Sequence, residues 1–191
     1  MEPIDALLTS ADGLGSPCRG IGETRFCKYW KLSMSIIQWT PDFSVGVGSI
    51  DTDHKVLISL INQLDDAIRG GEPKETVSRV LDALLDYTNY HFAREELLMR
   101  ACAYPDIEAH ARTHATLRAQ VQDIRSRYRR NAESIHAREV LAFLKNWLTT
   151  HIIGRDMLYA PFMRSADQKI QDADRVFDLA GEPSVAVAAS R

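Results

Sequence analysis

At 191 residues, 45% of them hydrophobic and 26% charged, with a net charge of −3, the chain has the composition of a globular protein with one core plus extensions. So balanced a charge lacks the basic excess that a phosphate backbone demands, which argues against nucleic acid as a partner. No run approaches the ~18 apolar residues of a membrane span, and the start MEPIDALLTSADG has no basic segment of the kind that opens a secretory signal, so a cytoplasmic protein without a membrane partner is expected.

Residues 1–33 are rich in Gly and Ser, lack periodicity and are expected to form a flexible extension outside the core. They hold Cys18 and Cys27, whose spacing matches no usual metal or redox motif. With Cys102 they make an odd, sparse set that reads as free thiols. The pattern changes abruptly at Met34-Ser-Ile-Ile-Gln-Trp39, so the folded domain is expected over 34–165, with Met34 a candidate for the true start.

Leu57, Ile58, Ile61, Leu64 and Ile68 recur at three- and four-residue intervals, predicting a first helix over 51–69 with Asp51 as its cap. Gly70-Gly71 stops it. Pro73 opens a second helix to about Ala101, through Val77, Val80, Leu84, Tyr87 and Tyr90. After a break at Ala103-Tyr104-Pro105, a third helix over 106–129 carries Ile107, Leu117, Val121 and Ile124 and ends in a basic turn. A fourth, over 134–153, presents Val140, Leu141, Phe143, Leu144, Trp147 and Leu148 as a broad apolar stripe. Four helices with short links predict an all-α, antiparallel up-down-up-down four-helix bundle. Residues 166–191 begin polar and end in SVAVAAS, and are expected to be a mobile C-terminal tail.

Five of the six histidines form an ordered series with two carboxylates: His54, then His91 and Glu95, then His110 and His114, then His151 and Asp156. Each lies on or beside the stripe that faces the bundle axis. Unpaired polar groups there would each cost about 1–3 kcal/mol, so their convergence calls for a bound cation. His91 and Glu95, like His110 and His114, are four apart and share a helix face. His151 and Asp156 are five apart, roughly 140° out of phase on a regular helix, so a widened or 3₁₀-like turn is predicted between them, around Gly154. His136 lies about 22 Å along the helix from His151 and cannot serve the same centre.

Five imidazoles and two carboxylates exceed the tetrahedral quota of a zinc site. With both carboxylates bridging and one bridging hydroxide, they fill all but one of the positions around two octahedral ions. The nitrogen and oxygen donors with a vacancy suit Fe(II), although spacing alone leaves manganese and zinc open.

The pattern H…HxxxE…HxxxH…HxxxxD is accompanied by Ser44-Val-Gly-Val47, Tyr87-Thr-Asn-Tyr-His91-Phe-Ala-Arg-Glu95-Glu96, Trp147-Leu-Thr-Thr-His151-Ile and Asp156-Met-Leu-Tyr159. Over about residues 36–164 it closely resembles the hemerythrins, in particular the bacterial single-domain members. The resemblance implies two non-haem irons with a hydroxo or oxo bridge. It implies that His110, His114 and His151 hold one iron, His54 and His91 the other, with Glu95 and Asp156 bridging and the vacancy for O2 on the two-His side. Reversible O2 binding needs a dry pocket, and Leu57 and Leu148, each one turn from a ligand, are the candidate lining residues, with plain core packing as their competing role. Leu117 departs from the aromatic residue that often follows the family's HxxxH pair.

Trp39, Trp147 and Tyr159 match aromatic positions of that family and are read as packing. Glu96, one step of about 100° from Glu95, is read as a solvated face, and Asp53 as a cap. The leading expectation is a non-enzymatic oxygen-binding protein for storage, delivery or buffering. One competitor is an O2 or redox sensor acting on a protein partner through the extensions. Another is peroxide or nitric oxide turnover at the same centre, against which the His-rich ligand set argues, since oxygen-activating di-iron bundles use more carboxylates.

Overall fold

The structure, a computed structural model, describes residues 35–132 and 137–180; the extension over 1–33, Met34, Cys18, Cys27 and His136 lie outside the described residues. Among these residues the secondary structure is entirely helical: α1 (Gly48–Gly70), α2 (Lys74–Ala101), α3 (Ile107–Arg130), α4 (Ala137–His151), a π-helical turn (Ile152–Asp156), α5 (Met157–Ser165) and α6 (Asp167–Leu179), preceded by a 3₁₀ turn at Pro41–Phe43. No helix among them is long and apolar enough to cross a membrane.

The helix ends follow local chemistry. Asp51 lies one turn inside α1 and reaches back, accepting hydrogen bonds from the Val45 N–H at 2.8 Å and the Ser44 hydroxyl at 2.6 Å. It therefore ties down the incoming chain rather than capping the helix end itself. Gly71 adopts φ 67°, a left-handed conformation that costs glycine little, and Glu72 N–H closes the turn on the Ala67 carbonyl at 2.9 Å. Pro73, which has no N–H to lose, begins α2. α3 ends with Arg127, Arg129 and Arg130 at the negative end of its dipole, and Arg129 also reaches Asp82 of α2 at 2.6 Å.

α1 packs on α2 and α4, and α2 packs on α3, the neighbour relations of an antiparallel four-helix bundle. α4, the π turn and α5 follow one another without a loop and together make the fourth rod. The buried apolar side chains form two clusters. One contains Leu57, Phe92, Leu148 and Ile152; the other contains Ile50, Leu98, Tyr159 and Met163. On α1 His54 falls between Ile50 and Leu57, on α2 Glu95 falls between Phe92 and Leu98, and on the fourth rod Asp156 falls between Ile152 and Tyr159. A polar layer thus divides the core, with apolar packing above and below it.

The C-terminal segment corrects the expectation of a mobile tail. Residues 167–179 form α6, which packs on α2, buries Ile170 in the second cluster and brings Asp174, Phe177 and Asp178 onto Arg94. Positions 170, 174, 177 and 178 repeat at helical spacing, a stripe that a mostly polar segment conceals when read by composition alone. Residues 181–191, including SVAVAAS, lie outside the described residues.

Candidate metal centre

Every one of the seven side chains in the series is buried. α1 supplies His54, α2 supplies His91 and Glu95, α3 supplies His110 and His114, α4 supplies His151, and the π turn supplies Asp156. The π turn brings the last pair together. Met157 N–H bonds back five residues to the Ile152 carbonyl, so one residue more than usual fits the turn, and Asp156 Oδ1 comes to 3.2 Å from His151 Nε2. This is the widened alternative of the two predicted from spacing. Gly154 is not its steric cause, since a Cβ built there would meet nothing within 4 Å and its φ is ordinary.

The imidazoles divide three to two. His114 Nε2 lies 3.0 Å from His110 Nε2 and 3.1 Å from His151 Nε2. The His54 and His91 rings face each other with centroids 4.9 Å apart. Both carboxylates span the groups. Glu95 Oε1 is 3.0 Å from His110 Nε2, and its Oε2 is 3.1 Å from His91 Nε2. Asp156 Oδ1 is 3.4 Å from His110 Nε2 and 3.2 Å from His151 Nε2, while its Oδ2 is 3.3 Å from His54 Nε2. Two sets of ligand atoms, Glu95 with His110, His114 and His151, and Glu95 with His54 and His91, each lie mutually within 4.8 Å.

This donor set fits metal ions. Glu95 and Asp156 have all four carboxylate oxygens buried without a hydrogen-bond partner, and both nitrogens of His54 are likewise unpaired. His114 donates through Nδ1 to Glu96 Oε1 at 3.1 Å, which leaves the Nε2 lone pair facing two other Nε2 atoms. Lone pairs so arranged repel unless a cation lies among them. Nitrogen ligands at right angles around an ion about 2.1 Å away would stand about 3.0 Å apart, which is the spacing found.

The electrostatics agree. Burial, helped by the charge that His91 would carry, pushes His54 down to about 3, and burial pushes His151 down to about 3, so both present neutral imidazole. Burial also disfavours charge on His91, but the adjacent carboxylates of Asp53 and Glu95 outweigh it and raise that group to about 9. Burial and the adjacent Glu95 hold Asp156 well above the usual carboxylate range. Two carboxylates confined together resist double ionisation, and bound cations relieve that conflict.

Residues around the ligands were less legible. Glu96 does point away from the centre, yet it reaches α3 and anchors the outer nitrogen of His114, which corrects the solvated-face reading. Asp53 is not a helix cap. It is buried, accepts hydrogen bonds from the Tyr87 hydroxyl at 2.8 Å and Arg94 Nη1 at 3.0 Å, and places Oδ2 3.5 Å from His91 Nδ1. The Phe92 ring stacks on His114 at 3.7 Å and 5°, while Trp147 lies nearly parallel to His151 at 6.3 Å. Tyr159 turns a buried hydroxyl into the neighbourhood of Glu95 and Asp156. Leu57 and Leu148 are 0% and 1% exposed, and Leu117 is buried in the same cluster.

Comparison with known proteins adds an independent line. A family model described as Hemerythrin HHE cation binding domain matches residues 45–163. The chain is 34% identical over 127 residues to the bacteriohemerythrin of Stenotrophomonas maltophilia, covering 66% of this chain and 81% of that protein. It is 32% identical over 129 residues to that of Methylococcus capsulatus, covering 67% and 97%. A crystal structure of wild-type hemerythrin superposes with a TM-score of 0.63 at 31% identity, covering 67% of this chain and 98% of that one.

Proposed function

The chain belongs to the hemerythrin family, whose domain binds O2 at a non-haem di-iron centre, and from that premise we propose that this protein binds O2 reversibly for storage, delivery or buffering rather than turning it over. The observation that carries the reading is the uneven division of imidazoles about two shared carboxylates. In this reading His110, His114 and His151 would hold one iron and His54 and His91 the other, with Glu95 and Asp156 shared between the two groups and the side with fewer imidazoles taking the small ligand. The irons, when bound, supply electrons that O2 can take up and return.

The chain's own residues do the rest. Glu96 fixes the His114 ring through its outer N–H and makes the inner nitrogen a better donor. Leu57 and Leu148 line the ligand position and, with Phe92, keep water and anions from it, in surroundings already closed to solvent. Tyr159 offers a buried hydroxyl beside the carboxylate-bridged pair. A cytoplasmic setting, with no nucleic acid or membrane as partner, belongs to the same proposal.

Metal analysis combined with optical spectra of the reduced protein before and after air tests it. The expected result is about two irons per chain and a visible band that forms with O2 and fades on degassing. Zinc content without such a band overturns it, and steady-state consumption of peroxide would point instead to turnover.

A further inference from the structure

Beyond the candidate ligands, an ion cluster around a buried arginine joins the C-terminal helix to the two-His side. Arg94 on α2 is almost fully buried. One edge of its guanidinium donates from Nη1 to Asp53 Oδ1 on α1 at 3.0 Å. On the other, Nη2 pairs with Asp178 Oδ1, and Nε lies 3.3 Å from Asp174 Oδ1, both carboxylates on α6. Nη2 also donates to the Tyr90 hydroxyl at 2.5 Å. The rings of Tyr90 and Phe177 lie 4.8 and 5.0 Å from the guanidinium carbon, so the cation is enclosed by aromatic faces as well as by acids.

Asp53 carries the connection inward. Its Oδ1 is engaged by Arg94 and Tyr87, which leaves Oδ2 toward His91 Nδ1 at 3.5 Å. Neither atom makes a hydrogen bond elsewhere, and this buried 3.5 Å ion-pair contact sets the Asp53 carboxylate against the outer nitrogen of His91. The orientation of a metal-ligating imidazole is set by the partner of its outer nitrogen. α6 lies beyond the residues 45–163 that match the family model.

We propose that α6 is a strap on the two-His side of the centre: Asp174 and Asp178 hold Arg94, Arg94 holds Asp53, and Asp53 aims the His91 ring. Arg94, Asp174 and Asp178 are then positioning residues for a ligand that none of them touches. Coupling of this kind is reciprocal, so an event that lifts α6 loosens His91, and occupation of the centre tightens α6. The proposal rests on the metal-binding reading and is independent of which small molecule the centre takes.

The test uses the full chain with ¹⁵N-labelled histidine, loaded with zinc in place of iron so that imidazole N–H signals are sharp, and reads solvent exchange of those protons by NMR. In Asp174→Asn/Asp178→Asn the His91 Nδ1–H is expected to exchange about tenfold faster, the effect of weakening one charge-assisted hydrogen bond. The His114 Nδ1–H, held by Glu96, is expected to stay unchanged, and Asp174→Glu/Asp178→Glu to restore His91. Asp178→Asn alone, at a side chain 56% exposed, is the milder variant should the double one fold poorly, with the same selective change expected on a smaller scale. Equal acceleration at His91 and His114, or no change at either, overturns the strap. Since zinc takes up no O2, this outcome is separate from the fate of the oxygen-binding reading.

Discussion

Glu96 Oε1 lies 3.1 Å from Nδ1 of His114, so a carboxylate that faces away from the centre on α2 orients a candidate ligand belonging to α3. Its neighbour Glu95 faces inward and spans both imidazole groups. Adjacent acids on one helix thus serve the inner and outer rings of contacts, because a step of about 100° directs them to different neighbours.

Removing that outer contact tests its weight. Glu96→Ala is expected to weaken metal binding by about 10- to 100-fold, and Glu96→Gln, which keeps an acceptor, by less. Competition against a chelator measures both. Equal affinity in all three proteins would make Glu96 a bystander.

Leu148 is fully packed one turn before His151. Leu148→Ala should speed oxidation of the reduced, air-exposed protein by admitting water, and should cost about 2–5 kcal/mol of stability as a core truncation. The lifetime of the oxygen-dependent absorbance band checks the first effect and denaturant unfolding the second. An unchanged lifetime with lowered stability would leave Leu148 a packing residue only.

Gly154 offers a contrary case. Because a Cβ there meets nothing within 4 Å, Gly154→Ala is expected to retain full metal content and to alter stability by no more than about 1 kcal/mol. Loss of metal in this variant would return the π turn to the glycine's flexibility instead of to the surrounding packing.

The metal-free protein should have a stability optimum near pH 6.5. Burial holds His54 and His151 at about 3, below their ordinary 6.5, so acid adds protons to the unfolded chain that the fold refuses, and stability falls from pH 6.5 toward pH 3. His91 acts with the opposite sign. Despite its burial, Asp53 and Glu95 raise it to about 9, so its contribution is complete below 6.5 and lost as pH rises through 9. Asp156, raised by burial and Glu95, shares that sign and offsets part of the acid-side loss. Urea unfolding at about pH 5, 6.5 and 8.5 reads the result, and a stability that climbs steadily across the range would contradict it.

The order and spacing of the chain by themselves determined the helical bundle, the seven candidate ligands and the need for an irregular turn between His151 and Asp156. These are local properties: which residues share a helix face follows from 3.6 residues per turn, wherever the helix later packs. The widening of that turn to a π geometry, the grip of Glu96 on His114 and the burial of Asp53 were decided by how α1, α2, α3 and the fourth rod come together. α6 shows the limit most plainly. Its polar sequence reads as a tail until Arg94, 84 residues before Asp178, supplies the buried cation that its acids surround. Periodicity within a segment carries no information about a charge waiting on another helix, so tertiary packing alone could turn that segment into part of the domain.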